Sequence, residues 1–467
     1  MKIKKGKRLI AGLAFIGLTI AQSDVVAANC YDTSVYIKTE INTANPSYPF
    51  PQFLEYKGGG KTLAKYNAEG VTHADMEKTM REAYQIMSHR ARYTGQEVSG
   101  VPYVTFNSPS VGGNSFYPQC TEGDGYMLLA SAIFADQPTF NGLWMWIHDN
   151  KIPKAERYSD GKILFQDYPF SPGLACCFDN AEDTTSLRKG PNGFYSDESS
   201  ATDGDEDIAL ALLIAYKQWG DTMMQNGNPV TDFNGNPISY RQMAKDYLSA
   251  FVDTFMYTSI MGDGTIYKGG HSSGNIGIDG YILGGNKAGD MTKWRQTQTD
   301  YPDITTFSLF NPFCYLDYCA TAYYHEFAKW LEEEGEGTDW QINQYKRGEA
   351  SSDWLIGEAY KQGLIPSIGQ FYFDEDETKV IFKNFNEGED FRAAWRTILN
   401  YLWHGNPKTT WNPKTHQIDS VGNTFQYDMA VRYAEFMKMP TADDFDGNNC
   451  VFFGAAPDPD KLNWFGP

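Results

Sequence analysis

Positive charge is scarce in this sequence beside negative charge. Only 39 lysines and arginines stand against 59 aspartates and glutamates, a formal net charge of −20 over 467 residues. A nucleic-acid partner needs a basic face to meet phosphate, so that class of function is argued against. An acidic surface suits a soluble exported protein and would also attract a cationic polymer such as chitosan. Cysteine is sparse as well. Seven in so long a chain do not make a disulfide scaffold, and an odd number leaves at least one unpaired within the chain. Cys314 and Cys319 are close enough in sequence to bridge, unless one helix carries both, when they would face apart. The adjacent Cys176 and Cys177 each pair elsewhere or stay free. The seven histidines show no metal-ligand spacing: His325-Glu326 begins like a zinc-protease helix, but Lys329 stands where the second histidine must be. There is no Gly-x-Ser-x-Gly, which leaves a serine hydrolase of the usual pattern unsupported. Gly58-Gly59-Gly60-Lys61 lacks the spacing of a phosphate loop. No run of alternating strand pattern and no bilayer-length apolar run is found.

What is present begins with a leader pattern. Lys2, Lys4, Lys5, Lys7 and Arg8 precede a short apolar core at residues 9–20, and Val26-Ala27-Ala28 offers small residues for cleavage before Asn29. Residues 1–28 are therefore expected to be a secretory signal, with export and no membrane contact once it is removed. Helical spacing then recurs along the chain. Met76, Met80, Tyr84 and Met87 share one face, and further helices are expected near residues 139–150, 239–257, 315–334, 344–362, 391–403 and 427–437. Residues 93–118, 151–200 and 260–303 read as loops, the last too long to be merely connecting. No second domain, repeat or linker is evident. The chain stops at Pro467 with no closing helix pattern after Cys450, which predicts a truncated or atypical end to the fold.

The chain is organised around residues 201–219. Asp203, Asp205, Glu206 and Asp207 crowd the start of a segment whose Ile208, Leu212 and Tyr216 recur at helical spacing. Thr202 or Asp203 could cap that helix, and acids suit its positive end. A calcium loop of the EF-hand type would need Gly and Glu where Ile208 and Ile214 stand, so calcium is not expected here.

Ala201-Thr202-Asp203-Gly204-Asp205, then Ile208-Ala209, Ala211-Leu212-Leu213, Ala215 and Trp219, closely resembles the signature of glycoside hydrolase family 8. The resemblance implies an all-α fold, an (α/α)6 barrel with long loops forming an open substrate cleft over residues 29–467. It also implies inverting, endo-acting cleavage of a β-1,4-linked polysaccharide. Cellulose-type glucan is the first expectation, xylan the second and chitosan the third. No cofactor or metal is implied, and the chain is expected to be monomeric. About nine helices are readable against the twelve of such a barrel. A barrel that binds carbohydrate without cutting it is the reading from another class.

Within the resemblance, Asp203 matches the aspartate at the subsite where the bond breaks. Thr121-Glu122-Gly123-Asp124-Gly125-Tyr126-Met127 is similar to the segment whose glutamate is the general acid, which makes Glu122 the acid, with Asp124 a weaker choice. Gly123 and Gly125 would leave room for a polymer. A general acid needs a raised pKa, whereas a helix start lowers it, so burial or the charge of Asp203 has to prevail. Glu389-Asp390-Phe391-Arg392-Ala393-Ala394-Trp395-Arg396 resembles the base segment, with Glu389 at the base position in place of the family's aspartate and Asp390 beside it. Both could instead cap the helix that follows. Arg392 and Arg396 lie one turn apart and could keep a base ionised. Trp144, Tyr126, Trp395 and Tyr401 are the aromatic candidates for stacking on sugar, although Trp144 suits a core equally well.

Overall fold

Helices dominate the computed structural model, and local sequence accounts for where several begin. The structure describes residues 84–85, 87–88, 91–106, 119–152, 173–175, 178–179, 200–232, 234–255, 280–282, 316–361, 370–373, 380–383, 391–415, 417–420 and 426–429. The leader, Glu389, Asp390, the disulfide candidates Cys176, Cys177 and Cys314, and nearly all of the loop at 260–303 lie outside these residues. Among the described residues no helix is long and apolar enough to cross a membrane. The chain divides into two compact units.

The first unit holds the hairpin of β1 (Ala91–Val98) and β2 (Val101–Phe106), joined by Ser99 and Gly100 at φ 50° and 77°. Two positive-φ residues between paired strands match the right-handed strand twist. The sequence reading placed this stretch in a loop. Gly95, at φ 79° inside the register shift between Tyr93 and Glu97, breaks the alternation that would have revealed β1. Helix α1 (Thr121–Ile133) contributes its residues from Gly123 onward, and α2 (Gln137–Trp146) follows. Asp136 caps α2 by accepting the Thr139 amide at 3.3 Å, and it also takes the Tyr84 hydroxyl at 2.6 Å. The π-helical turn that follows in sequence, Ile147–Lys151, belongs to the second unit. Gly142 lets α2 lie directly on β2, since a Cβ there would fall 2.4 Å from the Pro102 carbonyl oxygen. The C-terminal half of α3 (Thr202–Trp219) and the two-residue pair β5 (Met224–Gln225) and β6 (Asn228–Pro229) complete this unit. Tyr240 closes its core by hydrogen bonding to Asn141, whose amide reaches the Met224 carbonyl at 2.8 Å.

The second unit holds the N-terminal half of α3 and the small pair β3 (Gln119–Cys120) and β4 (Phe178–Asp179). It also holds α4 (Tyr240–Phe255) from Gln242 onward, α5 (Thr321–Glu333), α6 (Asp339–Lys361) and α7 (Phe391–His404). A 3₁₀ turn, Leu316–Tyr318, leads into α5. Helix α6 begins earlier than hydrophobic spacing suggests because Thr338 and Gln341 form a reciprocal capping box, with bonds of 3.2 and 3.0 Å. The Tyr345 ring packs between Phe251 and Phe327, and its hydroxyl reaches the Leu248 carbonyl at 2.7 Å. Pairs β7 (Gln370–Phe373) with β8 (Val380–Lys383), and β9 (Thr410–Asn412) with β10 (Gln417–Asp419), flank the helices in sequence. Strands of two to four residues are too short to show a period of two, which is why the sequence reading found none. Cys319 is buried, and its candidate partner Cys314 lies outside the described residues.

Candidate active site

Helix α3 starts one residue earlier than a Thr202 cap would have it, and two earlier than an Asp203 cap. The Ala201 carbonyl accepts the Asp205 amide at 3.2 Å, which makes Ala201 the capping residue. The acids that follow are not a solvated first turn. Asp203 is 3% exposed and Asp205, Glu206 and Asp207 are fully buried. At about 100° per residue, Asp203, Glu206 and Asp207 share one side of α3, and Asp205 points the other way. Asp205 accepts the Tyr247 hydroxyl and the Ala175 amide, the latter at 3.3 Å.

The shared face meets two arginines one turn apart on α7. Arg392 Nη1 stands 2.5 Å from Asp203 Oδ2 and 3.2 Å from Glu122 Oε1, and its Nη2 stands 2.8 Å from Asp317 Oδ2. Arg396 pairs with Glu206 and lies 3.9 Å from Asp207 Oδ2. Tyr324 donates its hydroxyl to Glu206. The rings of Tyr318 and Tyr323 lie 5.2 and 5.8 Å from the two guanidinium carbons, cation–π distances that limit how far those side chains can swing.

Five carboxyls therefore face two guanidiniums in a water-poor interior. Burial raises the pKa of Asp207 to about 7, with Arg396 opposing, and that of Asp317 to about 6, with Arg392 opposing. Burial pushes Asp205 and Glu206 well above the ordinary carboxyl range too. Among the described residues no group of side chains has metal-ligand geometry.

Glu122 is the member of the cluster that reaches the surface. Its side chain is 26% exposed, against 4% for Asp203 and 0% for Asp317. It sits in the first turn of α1, and Gly204 is what lets that turn approach α3. A Cβ on Gly204 would fall 2.6 Å from the Thr121 carbonyl carbon and 2.7 Å from the Glu122 amide nitrogen. One nitrogen touches both Glu122 and Asp203, so their nearest oxygens are less than about 6 Å apart. That is closer than the ~6.5–9.5 Å an inverting acid and base keep for their water, so Asp203 is not such a base for Glu122.

The structure thus brings Glu122, Asp203 and Arg392 together. Arg392 and Arg396, candidates for substrate contact and for keeping Glu389 or Asp390 ionised, are each 1% exposed and pair with Glu122, Asp203, Asp317 and Glu206, while Glu389 and Asp390 lie outside the described residues. Trp395 is half-buried and meets Tyr323 edge-on at 6.4 Å. Tyr401, nine positions beyond Arg392, lies on the opposite side of α7 beside Tyr427 and does not join the cluster. Tyr126 and Trp144 belong to the first unit. Trp144 is only 2% exposed, which gives it the core role. Gly123 and Gly125 are buried in α1, so they do not open space for a polymer. Asp317 was missed. No local pattern marks it, because its partner Arg392 is distant in sequence.

No protein-family model matches the chain. It is similar to Endoglucanase C of Ruminiclostridium cellulolyticum, 23% identical over 414 residues, covering 86% of this chain and 65% of that one. It is similar to Endoglucanase 2 of Ruminiclostridium josui, 24% identical over 406 residues, covering 85% and 64%. The chain thus spans just under two thirds of the length of these curated relatives. Among solved structures it is similar to a β-1,3-1,4-glucanase from Paenibacillus sp. X4, with a TM-score of 0.45, 17% identity and coverage of 84% and 79%. The chain is a relative of bacterial glycoside hydrolases. These relatives support a likeness to glycoside hydrolase family 8.

Proposed function

We propose that this chain is a secreted, inverting endo-hydrolase of β-1,4-linked polysaccharide, with cellulose-type β-glucan its first substrate. It works as a monomer without a cofactor, in an open cleft of an (α/α)6 barrel, after loss of residues 1–28. The observation that carries the reading is Glu122: a partly exposed carboxyl held by Arg392 beside a buried Asp203. In the proposed reaction Glu122 gives its proton to the leaving glycosidic oxygen. Asp203, buried beside Glu122, shapes the subsite at the point of cleavage, and Glu389, or failing it Asp390, draws a proton from the attacking water. The two relatives named endoglucanase favour glucan over xylan and chitosan.

The test is reducing-sugar release from carboxymethyl cellulose, xylan and chitosan by the wild type, Glu122→Gln and Glu389→Gln. Release from carboxymethyl cellulose that both substitutions abolish supports the reading. Release lost only in Glu122→Gln moves the base to Asp390 or elsewhere, and xylan or chitosan as the substrate cut corrects the specificity. A folded wild type that binds a polymer and cuts none overturns hydrolysis in favour of a binding barrel.

A further inference from the structure

Asp317 lies in the 3₁₀ turn ahead of α5, is fully buried, and places Oδ2 2.8 Å from Arg392 Nη2. The other nitrogen of the same planar group, Nη1, bridges Glu122 and Asp203 at 3.2 and 2.5 Å. A guanidinium is rigid, so fixing Nη2 fixes where Nη1 points. The Tyr318 ring, 5.2 Å from the guanidinium carbon, restricts motion out of that plane. We propose that Asp317 is a positioning residue, which acts through Arg392 to hold Glu122 and Asp203 in their working alignment. This rests on the hydrolase reading above.

Three measurements test it on the full chain. Asp317→Ala removes the grip and Asp317→Asn keeps a neutral acceptor. The expected loss in kcat is roughly 10–100-fold for Ala and smaller for Asn, with KM within about threefold of wild type, because misplacement by about an ångström is felt in the chemical step. Asp317→Ala combined with Arg392→Gln should be no slower than Arg392→Gln alone, since one residue acts through the other. Crystal structures of the wild type and Asp317→Asn should show Nη1 leaving Glu122 or Asp203 in the variant. A folded Asp317→Asn with unchanged kcat, losses that multiply in the double variant, or a bridge that stays intact would each overturn the proposal. If the wild type cuts no polymer, the hydrolase reading fails, and the crystallographic comparison still decides whether Asp317 sets the bridge. If Asp317→Ala does not fold, Asp317→Asn carries both kinetic and structural comparisons.

Discussion

Gly204 lies against the backbone of Glu122, so close that a Cβ would come within 2.7 Å of the Glu122 amide nitrogen. The glycine between Asp203 and Asp205 is thus what lets one helix start rest on another. Gly204→Ala would meet the Thr121–Glu122 backbone and the Thr121 Cβ, none of them the far end of a flexible side chain. It should cost about 1–3 kcal/mol through overpacking. The shift should also carry Glu122 off its place beside Asp203, with at least about a tenfold loss of kcat. Urea unfolding and steady-state hydrolysis measure the two. Wild-type kinetics in the variant would show that the contact does not set the alignment.

Arg392 separates charge from shape in the same site. Arg392→Lys keeps a cation but replaces a fork that meets Glu122, Asp203 and Asp317 by a single point. The expected outcome is a fall in kcat of roughly 100-fold and a stability loss of up to about 3–5 kcal/mol, the range for breaking a buried ion pair. Hydrolysis rates beside a denaturant midpoint would check it. A lysine variant within threefold of wild type in kcat would mean that charge alone suffices.

How much of this was readable beforehand differs by element. Helix α3 and its acids stood out because a long motif and helical spacing agreed, and α5 and α7 followed from periodicity alone. The burial of Asp205, Glu206 and Asp207 was not readable. Acids at a helix start are ordinarily solvated, and what these meet inside is distant in sequence: Arg396 for Glu206 and Arg392 for Asp203, 190 and 189 residues further along the chain, and Tyr247 for Asp205. Asp317 was hidden for the same reason, since its partner Arg392 is distant in sequence. The start of α6 could have been read from Thr338 and Gln341. The hairpin β1–β2 could have been suspected from Ser99-Gly100, had the bulge at Gly95 not interrupted its alternation.

The buried acids give stability a pH dependence with a definite sign. Asp207 rises from 3.8 to about 7 on folding because burial disfavours its charge. A carboxyl that binds its proton more tightly when folded stabilises most at low pH, and this contribution is lost as pH rises through the folded value. Each pH unit between the two values is worth about 1.4 kcal/mol, so the effect of Asp207 is on the order of a few kcal/mol between about pH 4 and 7. Asp317, raised to about 6, works in the same direction. Asp207→Asn removes the larger of these titrations. Its stability should therefore fall less steeply than that of the wild type between pH 4.5 and about 7.5. Urea midpoints across that range provide the comparison, and parallel curves for the two proteins would refute it.

His325 and His404 join α5 to the end of α7 and should titrate far apart. Their rings stack with centroids 3.9 Å apart and planes 28° from parallel. His325 Nδ1 is 3.1 Å from Glu349 Oε1, and that hydrogen bond raises the His325 pKa above 6.5. His404 is pushed down to about 4, first by burial and then by the charge on His325, although Glu326 lies 3.7 Å away. The stabilising effect of His325 is complete at low pH and is lost as pH rises through its folded value. His404 works in reverse, its contribution present above about 6.5 and lost as pH falls toward 4. Nitrogen-15 NMR of the imidazoles, assigned with His325→Gln and His404→Gln, should find one histidine titrating above 6.5 and the other near 4. His325→Gln should raise the His404 value by removing the neighbouring charge, which would leave burial as the force holding it down. Two histidines titrating together near 6.5 would mean that the stacked pair is not maintained in solution.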